Sequence, residues 1–303
     1  MTLRSPVSIN NRQTLLDLER TKERLALSQR ELSTGKRINT PTEDPTGAAA
    51  VVDFRATIGI NNQYIKQIDG SLSFLQGTES ALGSITNDLT RILEVGQQAL
   101  SGTNSGIPRA NLAKEVDGIR SNFISLANTQ EQGKYLFAGT ATLTVPFSGP
   151  AAGPIVYAGN AGLITQNVAA STTVDINIPG DSLFFGPGGQ GSTTDLFQQV
   201  TDLRDGMVNN NTAQIQTAYT NLQALMSRLT SVQTDLGGRQ ASISSLKEDL
   251  ESYNLTLQGI QNTVEETDYP DAVTRFSNGQ TAQQVTLNSL AKIGKVNLLD
   301  FIG

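Results

Sequence analysis

The sequence predicts a mainly α protein: an elongated antiparallel bundle of long, coiled-coil-like helices formed by both ends of the chain, with a small inserted β domain. Apolar residues recur at steps of three and four along residues 215–264 and again along residues 58–100. This is the heptad spacing of a helix with one apolar seam. Between residues 138 and 194 the spacing gives way to short alternating segments rich in glycine and proline.

The stretch from Ile215 to Val264 is the longest periodic segment, and only Arg239 interrupts its seam. At about 1.5 Å per residue, a helix of this length forms a rod of roughly 75 Å, far longer than an ordinary globular helix. Such a rod cannot bury its seam alone, so other helices of this chain or of other chains must lie along it. A second long helix is predicted over residues 58–100, and a shorter one over residues 112–126.

The two ends of the chain follow the same spacing over residues 15–32 and 273–290. Polar residues such as Lys22 and Gln280 occupy positions on these seams. Because a helix with a partly polar seam gains most of its stability from packing, we expect residues 1–35 to be mobile in the isolated monomer. The final helix is expected to behave in the same way.

The segment 138–194 contains only two charged residues, Asp175 and Asp181. Residues 173–178 alternate strictly between polar and apolar side chains, as expected for a half-buried strand. The segment is therefore predicted to be a β domain inserted in a helical hairpin. Further short strands are predicted over Thr142–Val145, Ile155–Tyr157 and Leu183–Phe185.

An ordered turn is predicted between the first two helices, over residues 32–50. Gly35 can end the first helix in a left-handed conformation. Pro41 and Pro45 favour extended residues before them, and Asp44 or Thr46 can cap the helix that follows.

These patterns divide the chain into three predicted domains. The first is a terminal helical domain of residues 1–42 with 268–303. The second is a long-helix bundle of residues 43–137 with 195–267. The third is the inserted β domain of residues 138–194.

Composition argues against an enzyme. The chain has no Cys, His or Trp, which removes thiolate and imidazole metal ligands and the Ser-His and Cys-His catalytic pairs. We therefore predict no catalytic residue, no metal and no cofactor. The glycine-rich segment 186–193 has Ser192 where a phosphate-binding loop has its lysine, so a flexible loop is the better interpretation.

The net charge of -6 gives no support for nucleic-acid binding. The charge is uneven, since residues 1–40 carry eight basic and four acidic groups, whereas residues 240–303 carry four basic and eight acidic ones. The two ends could thus attract each other or the opposite ends of neighbouring copies. No apolar core of a secretory signal and no run long enough to span a membrane are present, so we predict no membrane insertion.

Two groups of acidic residues have the composition of a possible site. Glu265, Glu266, Asp268 and Asp271 are rich in oxygen ligands but lack the spacing and the turn glycine of a calcium loop, so a hinge or a solvated cap is expected there. Glu43 beside Asp44 is expected to be a helix cap rather than a pair of catalytic carboxylates.

Three motifs carry a resemblance to a known family. LSTGKRIN (residues 32–39), followed by TEDPTGAAA (residues 42–50), resembles the N-terminal signature of the bacterial flagellin superfamily. VNLLDFIG (residues 296–303) resembles the C-terminal end of its hook-associated protein 3 branch. GKYLFAGT (residues 133–140), at the entrance of the β insertion, is similar to that branch rather than to filament flagellin.

The resemblance implies a structural adaptor. Subunits would form a ring between hook-associated protein 1 on the hook and flagellin in the filament. The terminal helices would form an inner tube and the long helices an outer tube. The resemblance also implies an extracellular location in the bacterial flagellum, export through the flagellar type III apparatus without a cleaved signal peptide, and a flagellar export chaperone that holds the C-terminal region beforehand.

The expected interface residues are the seam positions of the terminal helices and the turn that follows the first of them. On the N-terminal side they are Leu15, Leu18, Leu25, Leu32, Gly35, Arg37, Ile38, Asn39 and Asp44. On the C-terminal side they are Phe276, Leu287, Leu290, Ile293, Leu298, Leu299 and Phe301.

Two alternatives stay open at this stage. Filament flagellin is a close relative, and polymerisation of the purified protein alone into long filaments would favour it. An exported adhesin or enzyme would instead bind a ligand through residues 138–194, with saturable affinity that survives deletion of both termini.

Overall fold

The computed structural model describes residues 6–101, 107–150 and 153–302 of the protein, with side chains described for residues 12–101, 109–150 and 153–292. Long helices dominate it, and they pack antiparallel, with small β-sheets in a central insertion. This confirms the predicted fold class. The α-helices are α1 Pro6–Thr34, α2 Pro45–Leu100, α3 Ile107–Ala127, α4 Leu196–Val208, α5 Thr212–Glu265 and α6 Tyr269–Ile302.

The chain forms two compact units, which we call the terminal unit (residues 1–60 and 253–303) and the central unit (residues 61–252). Helices α2 and α5 each contribute residues to both units. The predicted division into three domains stays a prediction.

The central unit is held by one large apolar core. On α2 the fully buried side chains include Leu75, Leu82 and Leu89, and on α5 they include Leu222 and Leu229. These residues repeat every seven positions, so the heptad seams predicted from the sequence form the core of this unit.

Residues of the insertion belong to the same core. Phe184 is fully buried, and its ring lies 4.9 Å from that of Phe147 and 5.4 Å from that of Phe197 on α4, measured between centroids. Tyr157 is fixed beside this cluster by a hydrogen bond, in which its hydroxyl donates to the carbonyl oxygen of Phe137 at 2.9 Å. Burial raises the pKa of Tyr157 to about 12.

Buried Arg120 on α3 fastens a loop of the insertion. Its guanidinium donates to the hydroxyl of Thr201 at 3.1 Å and to the carbonyl oxygens of Pro150, at 3.3 Å, and Gly153. Burial lowers the pKa of Arg120. Because the loop is held by its backbone oxygens, this anchor does not depend on the loop side chains.

The described strands form three antiparallel pairs. The longest pair places Thr165 opposite Asp175 and Gln166 opposite Val174, with a register shift between Asn167 and Ala169. The pairs are β1 Gln130–Glu131 with β2 Lys134–Tyr135, β3 Phe147–Ser148 with β4 Val156–Tyr157, and β5 Thr165–Ala169 with β6 Thr172–Asp175.

Two of the predicted strands are wrong. Leu183–Phe185 lies in a π-helical turn, Asp181–Phe185, with all three side chains buried. A strand would have turned the middle one to the opposite face. Thr142–Val145 is a turn in which the Thr144 amide donates to the Ala141 carbonyl oxygen at 2.9 Å, and Leu143 is 82% exposed.

Candidate assembly site in the terminal unit

Helices α1 and α6 pack against each other along the terminal unit. A Cβ atom added to Gly279 on α6 would lie 3.3 Å from the side chain of Leu25 on α1, which shows how closely the two helices approach. An ion pair also connects the two helices, because the Arg275 guanidinium lies 3.0 Å from the buried carboxylate of Glu31. This ion pair has the opposite polarity to the attraction that the charge distribution suggested, because its anion lies near the start of the chain and its cation near the end.

Several predicted interface side chains on this helix pair remain open to solvent. Leu15 is 53% exposed and Leu287 is 42% exposed, whereas Leu18 is buried. Leu25, Leu32, Phe276 and Leu290 are half-buried. The side chains of Ile293, Leu298, Leu299 and Phe301 lie outside the described residues.

Other apolar side chains in the same unit are exposed although the predicted interface did not include them. On α1 and α6 they include Leu16, Val273 and Val285. The helix pair thus buries only part of its apolar surface within the chain. Contiguous apolar surface is typical of a protein interface, so the exposed residues of this helix pair are the candidates for one.

Gly35 ends helix α1 in the left-handed conformation, with φ +70°, as predicted. Its amide donates to the carbonyl oxygen of Glu31 at 2.8 Å. A Cβ atom at this position would lie 2.7 Å from the hydroxyl oxygen of Tyr269. The backbone conformation therefore favours glycine here, and a larger residue would also displace the Tyr269 hydroxyl.

The link that follows, residues 35–44, is held by its own side chains. Ile38 is buried, and the side-chain amide of Asn39 donates to the carbonyl oxygen of Lys36 at 2.7 Å. The carboxylate of Glu43 accepts the backbone amides of Asn39, at 2.6 Å, and Thr40, at 3.0 Å. Burial acts to raise the pKa of Glu43, but these hydrogen bonds outweigh it and lower the pKa.

Asp44 caps helix α2, which confirms the cap predicted at this position. Its carboxylate accepts the Gly47 amide at 2.9 Å and lies 3.2 Å from the Arg37 guanidinium. The amide of Gly47, more than Arg37, holds the pKa of Asp44 below its ordinary value. A negative charge at a helix N-terminus also interacts favourably with the helix dipole.

The connection from α1 to α2 runs beside the connection from α5 to α6, and we call the two segments the paired links. Lys36 lies opposite Glu266 in an antiparallel bridge. The Arg37 amide donates to the Glu265 carbonyl oxygen at 2.7 Å, and the Thr267 amide donates to the Gly35 carbonyl oxygen at 3.0 Å. The turn predicted from the sequence is thus one half of a two-stranded joint.

Glu265, the last residue of α5, is the most densely paired side chain of this joint. Its carboxylate lies 2.6 Å from the Lys36 ammonium and 2.6 Å from the Arg55 guanidinium, and it accepts the side-chain amide of Gln261 at 2.9 Å. Burial opposes ionisation, but hydrogen bonds from Lys36, Gln261 and Arg55 prevail and lower the pKa of Glu265 to about 2.

The expectation of a hinge or solvated cap is therefore wrong for Glu265, whose side chain is only 8% exposed. It is correct for Asp268, because the Asp271 amide donates to the Asp268 carboxylate at 3.3 Å at the start of α6. No group of three or more acidic residues, Cys or His that could hold a metal occurs in the described part of the chain.

Sequence reasoning missed Lys36, Arg55 and Glu265 as members of this joint. Arg55 and Glu265 are 210 positions apart, so no local spacing brings them together. The only signal was the excess of positive charge near the start of the chain and of negative charge near its end.

Within residues 6–101, 107–150 and 153–302, no helix is long and apolar enough to cross a membrane.

Two family models match the chain. The bacterial flagellin N-terminal helical region matches residues 7–142, and the bacterial flagellin C-terminal helical region matches residues 219–302. Both halves of the helical scaffold are thus similar to the corresponding parts of flagellins.

Curated relatives include two flagellar hook-associated proteins 3. That of Escherichia coli strain K12 is 31% identical over 235 residues, which cover 71% of this chain and 73% of the relative. That of Salmonella typhimurium strain LT2 is 26% identical over 88% of this chain and 90% of the relative. A flagellin of Salmonella muenchen is 32% identical, but over only 43% of this chain and 26% of its own length.

Solved structures share the fold. A putative flagellar hook-associated protein from Vibrio parahaemolyticus is 20% identical with a TM-score of 0.67, and the match covers 74% of this chain and 100% of that one. FlgL from Bacillus cereus is also 20% identical, with a TM-score of 0.60 over 69% of this chain and 99% of that one.

Proposed function

Because the chain belongs to the flagellar hook-associated protein 3 family, we propose that it is a structural adaptor that joins the hook to the filament of the bacterial flagellum. It would act by lateral and axial packing of its helices against neighbouring subunits. Turnover of a substrate plays no part in this function, and we propose that the protein has no enzymatic activity.

The observation that supports this proposal best is the uneven burial of apolar side chains. Among the described residues, eleven of the sixteen large apolar side chains that are exposed lie in the terminal unit. Only five of the forty buried apolar residues lie there. A unit that exposes much apolar surface and buries little gains stability when another chain covers it.

We propose the following partners and location. Copies of the chain form a ring, with hook-associated protein 1 on the hook side and flagellin on the filament side. A chaperone covers the C-terminal region before export, which proceeds through the flagellar type III apparatus without a cleaved signal peptide. The absence of Cys fits passage as an unfolded chain, because no disulfide has to be broken first.

The proposed interface is the outer surface of the α1–α6 pair, continued by the turn after α1. Leu15 and Leu287 are its best test positions, since both are exposed in the monomer. The predicted residues Ile293, Leu298, Leu299 and Phe301 extend the same interface along α6. In the ring, the terminal helices form the inner tube and the long helices the outer tube.

The extent of the relationships favours a junction protein over filament flagellin. The match to hook-associated protein 3 of Salmonella typhimurium spans 90% of that relative, whereas the match to the Salmonella muenchen flagellin spans 26% of it.

The experiment is complementation of a strain that lacks the gene for this protein. The double variant Leu15→Asp with Leu287→Asp places two charges on the proposed interface. Because both positions are exposed, the monomer is expected to keep its melting temperature. The matched control is Leu143→Asp in the central unit, at a site that is 82% exposed.

We expect the native protein and the Leu143→Asp control to restore filaments on the hook, whereas the double variant leaves hooks without filaments. Full filament assembly by the double variant would refute the interface. If the purified native protein forms long filaments alone, it is a flagellin rather than an adaptor.

Hydrogen exchange gives a second test. We expect amides of residues 12–34 and 269–292 to exchange faster in the monomer, through brief local opening of helices that are mostly formed, than in assembled flagella, whereas those around Leu82 are protected in both. Equal protection of the terminal helices in both states would mean that they do not order on assembly.

A further inference from the structure

We propose that Glu265 is a positioning residue that fixes the direction in which α1 and α6 leave α2 and α5 within the terminal unit. The inference concerns the isolated chain and goes beyond the adaptor function, which does not by itself require any one residue to set this direction.

One carboxylate joins three segments of the terminal unit. Oxygen Oε1 of Glu265 lies 2.6 Å from both Lys36, in the link after α1, and Arg55, on α2. Oxygen Oε2 accepts the side-chain amide of Gln261, one turn earlier on α5. The carbonyl oxygen of the same residue accepts the amide of Arg37 at 2.7 Å. Side chain and backbone of one residue thus hold the start of α2, the end of α5 and the paired links.

Apolar packing contributes little to direction in this unit. The buried apolar residues described there are Leu18, Ile38, Val51, Leu257 and Ala272. Apolar burial is also non-directional, so a small core permits several helix angles at similar free energy. Charge-assisted hydrogen bonds require a defined geometry. The joint therefore receives its direction from Glu265 and its partners.

A second ion pair lies farther along the two helices and constrains a different part of the geometry. The Glu31–Arg275 ion pair connects α1 to α6, so it sets their mutual alignment. Glu265 connects neither helix directly, but it holds the link from which α1 departs. Loss of the Glu265 charge leaves the α1–α6 pair intact, but the pair can then move as one body relative to the α2 and α5 segments of the terminal unit.

Loss of the Glu265 charge is not expected to unfold the chain. The Lys36 and Arg55 side chains are 45% and 51% exposed, so both cations can turn to water when their anion is removed. The apolar core of the central unit is unchanged. The expected result is a wider range of helix directions with only a small loss of stability.

The test is a distance distribution between two spin labels in the purified full-length monomer, measured by pulsed electron paramagnetic resonance. The chain has no Cys, so Arg24→Cys on α1 and Ala56→Cys on α2 label two exposed sites specifically. Glu265→Gln removes the charge and keeps the shape. Its control is Glu115→Gln, which removes a carboxylate 2.7 Å from Arg91 in the central unit.

We expect the distribution to be narrow in the native background and to widen by about twofold or more in Glu265→Gln, because the neutral side chain no longer forms the charge-assisted hydrogen bonds that hold Lys36 and Arg55 in one geometry. Glu115→Gln should leave the width unchanged. The conservative double variant Lys36→Arg with Arg55→Lys, made with Glu265 in place, keeps both cations and should keep the narrow distribution.

Equal widths in the native and Glu265→Gln proteins would overturn the proposal, as would a broad distribution in the conservative double variant. If Glu265→Gln loses helix content, Arg55→Met, which removes one cation and spares the carboxylate, replaces it with the same expected widening. The distances are measured on the unassembled monomer. If the distribution does not widen, the proposed junction function is unaffected. If complementation fails, the proposed role of Glu265 is unaffected.

Discussion

The central and terminal units of this protein are specified by different forces. The central unit buries consecutive heptad positions such as Leu82 and Leu89, and it includes the aromatic cluster around Phe184. The terminal unit buries few apolar side chains and is joined by ion pairs and backbone hydrogen bonds around Glu265. The first arrangement yields stability and the second yields a defined geometry at low stability.

This difference is what the proposed adaptor function would require. The central core would keep the monomer folded, whereas the terminal helices would gain a large part of their stabilisation from contacts with other chains. The comparison predicts where substitutions should matter and by how much.

The largest effect is expected in the aromatic cluster. Phe184→Ala removes a fully buried ring from the central core and should lower the free energy of unfolding by about 3–5 kcal/mol. Leu16→Ala, at an exposed site on α1, should change it by less than about 0.5 kcal/mol. Urea unfolding followed by circular dichroism measures both, and similar losses would contradict the contrast between the units.

Arg120 tests whether polar anchors also matter in the central unit. Arg120→Met removes the guanidinium donor from the carbonyl oxygens of Gly153 and of Pro150, the second of which still accepts the Gly153 amide at 3.3 Å, and should cost about 2–4 kcal/mol. Lys114→Met, at an exposed site on the same helix, is the matched control. If Arg120→Met leaves the free energy of unfolding unchanged, apolar packing rather than the Arg120 hydrogen bonds holds the insertion.

Gly35 tests the geometry of the terminal unit. Gly35→Ala places a methyl group in a left-handed conformation and against Tyr269, which should cost about 1–2 kcal/mol. Faster hydrogen exchange at the amides of Arg37 and Thr267 would report the loss. Gly59→Ala on α2 is the control: its Cβ meets open space, so it should stabilise the helix by about 0.5–1 kcal/mol.

The smallest effect is expected from acid. The pKa of Glu265 falls from an ordinary 4.5 to about 2, so its contribution to stability is complete above pH 4.5 and declines as the pH falls towards 2. After screening by solvent around its exposed partners, the contribution is about 1 kcal/mol. The stability difference between native protein and Glu265→Gln should therefore shrink over that range, and a constant difference would argue against the pairing.

The helices were predictable because their determinants are periodic. A seam such as that of α5 repeats over many turns, so one interruption at Arg239 does not hide it. The glycine at the end of α1 and the cap at Asp44 were predictable for a similar reason, since each satisfies backbone groups within a few residues of itself.

The strand errors came from segments in which tertiary packing decides the backbone. Leu183–Phe185 has high strand propensity, yet its three consecutive side chains are all buried in a helical turn. Thr142–Val145 has alternating polarity, but among the described residues its link to a strand is one hydrogen bond, from the Tyr135 amide to the Thr142 carbonyl oxygen at 2.8 Å, and Leu143 faces solvent. Composition carried no information about either environment.

The candidate site was predictable only in its local half. The turn after α1 was expected, but its pairing with the link after α5 joins Lys36 to Glu266 across most of the sequence. Long-range ion pairs leave no periodic signal in the sequence. The opposite net charges of the chain ends indicated attraction between them but not which residues pair.

The paired links also have a consequence for the order of folding. A ribosome releases the chain from its N-terminus, so α1 and the first link are complete when more than 200 residues remain to be made. Their partners, Glu265 to Thr267 and α6, arrive last. Closing so long a loop is entropically costly and slow. The N-terminal helix therefore lacks its partner until α6 has been made, and we expect the joint at Glu265 to form late in folding.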